Sequence, residues 1–185
     1  MSKEELRASP VLLPVPAAMI SCADAQGRPN IITLAWVGVV CSEPPMLGIG
    51  VRPNRHSHQM IVESGEFVVN IPSINQVKET DYCGLVSGRD TDKFAATGLT
   101  PAPGKWTKAP IIEECPVNVE CRLRQVVELG SHDLFIGEVV GVQADAGTIG
   151  DNGRPDVSKI RPLAYAAGEY WSLGSEVAPR GIGKK

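Results

Sequence analysis

The chain has 185 residues, with 18 lysines and arginines against 21 aspartates and glutamates, which gives a formal net charge of −3. This length fits one domain spanning residues 1–185, and the charge lacks the basic excess of proteins that bind nucleic acid through many phosphate contacts. No stretch approaches the roughly 20 apolar residues of a membrane span. Five cysteines without a C-x-x-C pair favour a reducing compartment, so we expect a cytoplasmic protein.

Frequent turns predict short elements and a mainly β fold. The 19 glycines and 15 prolines interrupt most windows that could hold a long helix. Residues 15–22 and 31–41, joined by a turn at 24–27, are predicted to pair as a hairpin. The prolines of Ser42-Glu43-Pro44-Pro45 stop the second strand, and a third strand is predicted at 46–51.

The middle of the chain predicts short helices between strands. One helix is expected to begin with Ser57 as its N-cap and to end at Gly65, because a glycine in the left-handed conformation terminates many helices. A fourth strand follows at 66–71. Two further helices are predicted at 74–85 and 92–97, the second of them ending before another glycine.

The second half holds the clearest alternation of apolar and polar residues, over positions 117–128. This pattern predicts a half-buried strand, which the turn at 130–133 connects to a strand at 134–142. Six or so antiparallel strands with a few short helices describe a small closed barrel. Because side chains fill the interior of such a barrel, a ligand is expected outside it, in a cleft against the helices or a second subunit.

Arg52, Arg55 and Ser57 cluster just before the first predicted helix, while Asn30 and Thr33 lie at the start of an apolar strand. A helix N-terminus with a hydroxyl group and two guanidinium groups beside it is a good phosphate site. The alternative is a capped surface helix flanked by solvated arginines, and composition alone leaves both interpretations open.

Two further positions could carry chemistry. Gly88 permits close backbone approach in a polar turn, and Lys93 offers a positive charge, although such turns also simply lead into helices. His132, in a predicted hairpin tip, could exchange protons with a reacting centre or merely face solvent. His56 and His58 have no third ligand at a metal-like spacing, so no metal site is expected.

Seven sequence motifs occur in a fixed order between residues 14 and 174. They are NIITLAW (30–36), CSEPPM (41–46), RPNRHS (52–57), GEFVVNIP (65–72), SGRDTDKF (87–94), GSHDLFIGEV (130–139) and YWSLG (170–174). In content and order they resemble the flavin reductase-like family with the FMN-binding split-barrel fold, which includes flavoredoxins and archaeal ferric reductases.

The resemblance implies a homodimeric, six-stranded antiparallel split barrel of the Greek-key type that binds FMN at the subunit boundary. The flavin ring edge would be lined by Asn30, Thr33, Ala35 and Trp36. The phosphate would be held by Arg52, Arg55, Ser57 and Lys93, with the loop closed by Ser87 and Gly88. His132 matches a family histidine near the flavin and the nicotinamide, which implies a catalytic, substrate-side role. The chain departs from many relatives at His56 and Ser57, where Tyr and Thr are frequent.

The resemblance also implies a function. The leading hypothesis is an oxidoreductase that takes electrons from NAD(P)H and passes them through FMN to free flavin, ferric chelates or a redox partner protein. The alternative is a flavoredoxin-type electron carrier that does not use NAD(P)H directly. A third hypothesis is a split-barrel binding module without flavin. The residues do not distinguish NADH from NADPH.

Overall fold

The computed structural model describes residues 1–183 and has the mainly β fold that was predicted. The strands in this range are β1 (Val15–Pro16), β2 (Ala18–Ala23), β3 (Pro29–Leu34), β4 (Val37–Ser42), β5 (Pro45–Val51), β6 (Glu66–Ile71), β7 (Pro101–Ala102), β8 (Ile111–Ile112), β9 (Val117–Glu128), β10 (Asp133–Ala144), β11 (Leu163–Ala166) and β12 (Glu169–Ser172). The helices are α1 (His56–Ser64), α2 (Val77–Leu85), α3 (Lys93–Thr97) and α4 (Val157–Ile160), with 3-10 turns at Ile74–Gln76 and Ala146–Thr148.

The main sheet is antiparallel, with the strand order β3-β2-β6-β9-β10-β5-β4. Its two edge strands, β3 and β4, are consecutive in the chain and joined only by Ala35 and Trp36. The backbone N–H of Gly50 on β5 donates to the Trp36 carbonyl over 2.8 Å, so the pairing of β4 with β5 extends into this two-residue link, which joins the two ends of the sheet. The sheet therefore curls into a barrel that is split beside this junction.

The sequence predicted six strands, and the main sheet has seven. The single strand predicted at 31–41 was wrong, because the chain changes partners at residues 35 and 36. Before this junction β3 pairs with β2, and after it β4 pairs with β5. The predicted hairpin of the first two strands is confirmed for β2 and β3, and the predicted pairing of β9 with β10 is confirmed.

Strand β2 is buried along its whole length because it has apolar neighbours on both faces. Ala18, Ile20 and Cys22 face the barrel interior, which they fill together with residues such as Phe67 and Phe135. The opposite face carries Met19, which joins a second cluster beneath α2 and α3 that contains Ile31, Cys83, Phe94, Leu99, Ile112 and Cys115. The helices are thus held against the outside of the barrel, where they form one wall of a cleft.

Helix α1 begins at His56 with Arg55 as its N-cap, so the prediction of Ser57 as the N-cap was wrong. Ser57 lies in the first turn and is buried. Its hydroxyl accepts a hydrogen bond from a distant side chain instead of capping the helix. The predicted end at Gly65 is confirmed, since this residue has a φ of 69° and its N–H donates to the Ile61 carbonyl.

Glu120 on β9 anchors the segment between α3 and β9. Its side chain is fully buried and accepts hydrogen bonds from the backbone N–H groups of Lys105, Trp106 and Thr107 at 2.8 to 2.9 Å. The Thr107 hydroxyl and Gln143 Nε2 donate to the same carboxylate. Burial by itself raises the pKa of this carboxyl, but the hydrogen bonds outweigh that effect and lower it overall. Glu120 therefore holds the loop as a carboxylate.

The cysteines within the described part of the chain are unpaired, and Cys121 is buried in the barrel core, where the strand pattern placed it. Over residues 1–183, no helix is both long and apolar enough to cross a membrane. No group of three or more His, Cys, Asp or Glu side chains among the same residues could hold a metal ion.

Candidate functional site

Two adjoining cavities lie in the cleft between the barrel and its helices. The first, of about 190 Å³, lies between β3, the start of α1 and the loop after α2. The second, of about 230 Å³, lies at the junction of β3 and β4. Ile32, Arg55 and Gly84 line both cavities, so the two form one continuous groove.

The structure brings every residue that was predicted for the site to this groove. The first cavity is lined by Asn30, Arg55, Ser57, Ser87, Gly88 and Lys93. The second is lined by Thr33, Ala35, Trp36, Arg52, Arg55 and His132. Of these two cavities, Arg52, expected at the phosphate, thus lines only the second, and Asn30, expected at the ring edge, lines only the first. These residues come from four separate parts of the sequence, and the barrel junction gathers them at one end of the sheet.

The first cavity is cationic although the chain as a whole is acidic. Arg55, Arg89 and Lys93 line it, and no Asp or Glu of the described residues does. Arg89 Nη1 donates to the Asn54 carbonyl over 2.9 Å, which fixes its guanidinium at the rim. Burial and the nearby Arg89 charge lower the pKa of His56, so this ring adds no positive charge at neutral pH. The cavity is suited to an anionic group with several acceptor oxygens.

Asn30 and Gly88 fix the floor of the first cavity. Asn30 is buried, and its Nδ2 donates to Ser57 Oγ over 2.8 Å. A Cβ atom on residue 88 would lie 2.1 Å from Asn30 Oδ1, a distance that no pair of non-bonded atoms can adopt. Only glycine therefore lets the 87–88 backbone approach Asn30 this closely.

Lys93 has a structural role that the sequence did not reveal. The residue is only 4% exposed, and its Nζ donates to the carbonyls of Ile31 at 2.7 Å and Cys83 at 2.8 Å. Burial lowers the pKa of this ammonium group, and the nearby Arg55 charge lowers it further. An ammonium group has three hydrogens, so one remains for a ligand in the cavity. Lys93 thus ties α3 to β3 and α2 while facing the first cavity.

Thr33 is also committed to the fold. Its hydroxyl donates to the Thr80 carbonyl in α2. A Cβ atom on residue 84 would lie 3.3 Å from Thr33 Cβ, so Gly84 lets α2 pack closely here. The Thr33 hydroxyl hydrogen is therefore used by the helix, and what the residue offers the second cavity is its remaining surface and backbone.

His132 lies at the far end of the second cavity in a defined orientation. Arg52 Nε donates to His132 Nε2 over 3.3 Å, and His132 Nδ1 lies 2.9 Å from Ser131 Oγ. The imidazole packs against Trp36, with 3.9 Å between ring centroids and 62° between ring planes. Burial lowers the pKa of His132, and the Arg52 charge lowers it further. The ring is therefore neutral at pH 7, with its proton on Nδ1.

Replacing Arg52 by alanine is expected to raise the pKa of His132, because the substitution removes a positive charge and a donor that favour the neutral ring. NMR titration of the histidine ring protons would measure the shift. A matched control is Arg154→Ala, which removes an exposed arginine outside the groove. A His132 titration that is unchanged in Arg52→Ala would contradict this account of the pair.

Sequence reasoning missed several residues that line the groove. Arg89 could have been found, since it follows Gly88 directly in the same polar turn. Cys83, Gly84 and Tyr165 could not, because they reach the groove only through the packing of α2 and β11. Tyr165 lies in a small second sheet in which β11 pairs with β1 and β12, far along the chain from the other groove residues.

Comparison with known proteins places the chain in a family. Residues 11–174 match the model of the flavin reductase like domain. Flavoredoxin of Desulfovibrio vulgaris (Miyazaki F) is 36% identical, with a TM-score of 0.94 and coverage of 100% of both chains. Flavoredoxin from Methanosarcina acetivorans is 32% identical, with a TM-score of 0.91, over 100% of this chain and 98% of that one. The protein YddH of Escherichia coli is 36% identical over 88% of each chain. The chain therefore belongs to the flavin reductase like family and has its split-barrel fold.

Proposed function

We propose that the protein is an FMN-dependent oxidoreductase that takes electrons from NAD(P)H and passes them to free flavin, a ferric chelate or a redox protein. Family membership supports a flavin-related redox function. The observation that carries the proposal is the groove itself, in which a cationic cavity free of described acidic residues adjoins a cavity lined by Trp36 and His132.

The groove residues fit FMN. A phosphate needs several donors and positive charge, which Arg55, Arg89 and the free Lys93 hydrogen provide in the first cavity. The close approach that Gly88 permits would place backbone N–H groups near the same phosphate. A flat ring system needs an apolar wall, which Trp36 and its neighbours offer in the second cavity. When bound, FMN supplies a ring that accepts and donates a hydride.

The residues of the second cavity have distinct proposed roles. Arg52 holds the His132 ring through Nε2, which leaves the protonated Nδ1 toward Ser131. A substrate that replaces Ser131 as the partner of Nδ1 would be held by His132 at the edge of the groove and exchange a proton there, and His132 would not act as a nucleophile. Ala35 and Trp36, at the turn between β3 and β4, would shape the ring edge and exclude water from it.

We also propose that the protein is a homodimer in the cytoplasm. Strand β4 is an edge of the main sheet and exposes two large apolar side chains, Val39 at 78% and Val40 at 50%. An exposed apolar edge strand is a template for association, and a second copy would cover it. The unpaired cysteines fit a reducing compartment.

Anaerobic titration with NADH and with NADPH tests the proposed activity. We expect at least one of them to bleach the visible absorption of the flavin-loaded protein. If the flavin stays oxidised with both nucleotides but is reduced by dithionite, the protein is an electron carrier that depends on a partner. If the purified protein shows no flavin absorption bands and does not quench the fluorescence of added FMN, it is a binding module without flavin.

Arg55→Ala is expected to weaken FMN binding about tenfold, the loss of one charge-assisted hydrogen bond to phosphate. The fold should be unaffected, since no salt bridge among the described residues includes Arg55.

Lys93→Met is expected to weaken FMN binding and to lower stability as well, because two carbonyls lose their donor. Equilibrium dialysis and thermal unfolding would measure both effects, with Arg154→Ala as the control. Unchanged FMN affinity in both variants would refute the phosphate site.

A further inference from the structure

A third and larger cavity, of about 880 Å³, opens from the second one. It is lined by the N-terminal segment 9–13 and by Leu129, Ser131 and His132 of the turn after β9. Ala35, Trp36, His132 and Tyr165 line both this cavity and the second, so the two are continuous. His132 therefore lies between the proposed flavin ring site and a space large enough for a separate small molecule.

The lining of this cavity is apolar and carries no formal charge. Among the described residues, no Asp, Glu, Lys or Arg lines it. The polar lining groups belong to Ser9, Ser131, His132 and Tyr165. Burial and the Arg52 charge keep the His132 ring neutral, since both lower its pKa. The nearest described cation is Arg52, which lines the adjoining second cavity and is bonded to His132, so the third cavity itself favours an uncharged ligand.

Large apolar side chains remain exposed along the wall of the cavity. Leu12 is 72% exposed, its neighbours Val11 and Leu13 are 65% and 56% exposed, and Trp36 is 46% exposed. Apolar surface concentrated in a concave site is typical of a ligand-binding pocket. The rings of Trp36, His132 and Tyr165 lie together at the inner end, where a flat ligand could pack against them.

We propose that this cavity binds the electron acceptor, and that the acceptor is an uncharged, flat, apolar compound of the quinone class. The inference rests on the proposed function and adds an acceptor class to it. The overall reaction is NAD(P)H + H⁺ + quinone → NAD(P)⁺ + hydroquinone, in which the quinone gains two electrons and two protons. The charged acceptors of the proposed function, such as ferric chelates, would not use this cavity, because no described charged residue lines it, and they would reach the flavin from another side.

Binding to the oxidised, FMN-loaded protein tests the site without turnover. Isothermal titration would compare 2-methyl-1,4-naphthoquinone with 1,4-naphthoquinone-2-sulfonate, which has the same ring system and a negative charge. We expect the neutral quinone to bind at least about tenfold more tightly, because no described Lys or Arg lines this cavity to pair with the sulfonate. Leu12→Glu should weaken binding of the neutral quinone about tenfold. The control Val157→Glu places the same charge at an exposed valine outside the cavity and should change nothing.

Equal affinity for the two quinones, or an unchanged affinity in Leu12→Glu, would overturn the proposed acceptor site. The Leu12→Glu variant is expected to fold normally, because Leu12 lies in an exposed segment before the first strand. Failure of the proposed function has a different signature. In that case the flavin bound to the wild-type protein would stay oxidised with both NADH and NADPH, and this result does not depend on whether quinones bind.

Discussion

Replacing Gly88 by alanine is expected to weaken FMN binding by at least about tenfold while leaving the fold intact. The new Cβ would lie 2.1 Å from Asn30 Oδ1, so either the 87–88 backbone or the Asn30 side chain must move. Asn30 is buried and bonded to Ser57, and its displacement would break that hydrogen bond at the floor of the cationic cavity. Fluorescence titration with FMN would measure the loss.

A matched control exists in the same chain. Gly147 has no atom of the described residues 1–183 within 4 Å of its Cβ position, and it lies in a 3-10 turn that does not line the groove. Gly147→Ala should therefore bind FMN as the wild type does. If Gly88→Ala also bound FMN normally, the close approach of the loop to Asn30 would have no part in phosphate binding, and the site would need to be placed elsewhere.

Glu120→Ala is expected to lower the free energy of unfolding by about 3 kcal/mol, because it leaves several buried donors without an acceptor. For a chain of this length, such a loss lowers the melting temperature by about 9 °C. Glu120→Gln should lose much of the same stability, since an amide has one acceptor oxygen and two donors. Differential scanning calorimetry would measure both variants.

The control is Glu128→Ala, which removes an exposed carboxylate at the end of the same strand. It should change the melting temperature little. A Glu120→Ala variant as stable as Glu128→Ala would contradict the proposed role of Glu120 in holding residues 105–107.

The stabilisation by Glu120 is also expected to depend on pH. The folded pKa of this carboxyl lies below its ordinary value of 4.5, so the unfolded chain binds the proton more readily. The stabilisation is therefore complete above pH 4.5 and is lost as the pH falls through the folded pKa. Urea unfolding at a series of acid pH values should show a smaller pH dependence for Glu120→Gln than for the wild type.

Much of the fold could be predicted because many elements have one buried face and one face in solvent, which leaves a periodic pattern of apolar and polar residues in the sequence. The alternation over 117–128 predicted β9 with its observed bounds, Val117–Glu128. The break between β3 and β4 could not be predicted in this way, since the stretch from 31 to 41 is apolar almost throughout. It depends on the partners of each half, β2 for one and β5 for the other, and these lie elsewhere in the sequence.

The residues of the candidate site were predictable through the family resemblance, but their contacts were not. Ser57 has a residue type that caps helices, yet its partner is Asn30, 27 positions earlier. Lys93 was predicted from its charge, and the two carbonyls that hold it come from β3 and α2. Hydrogen bonds across such separations leave no local pattern in a sequence. The motifs therefore indicated which residues meet, and the barrel junction determines what each of them bonds.

The central claim is that the groove holds FMN with its phosphate in the cationic cavity. Fluorescence titration of the protein with FMN and with riboflavin, which lacks the phosphate, tests it most directly. We predict that the protein binds one FMN per chain and quenches its fluorescence. We also predict that riboflavin binds about a hundredfold more weakly, because it makes none of the charge-assisted hydrogen bonds to phosphate. Equal affinity for the two flavins, or no quenching of FMN at all, would contradict the account.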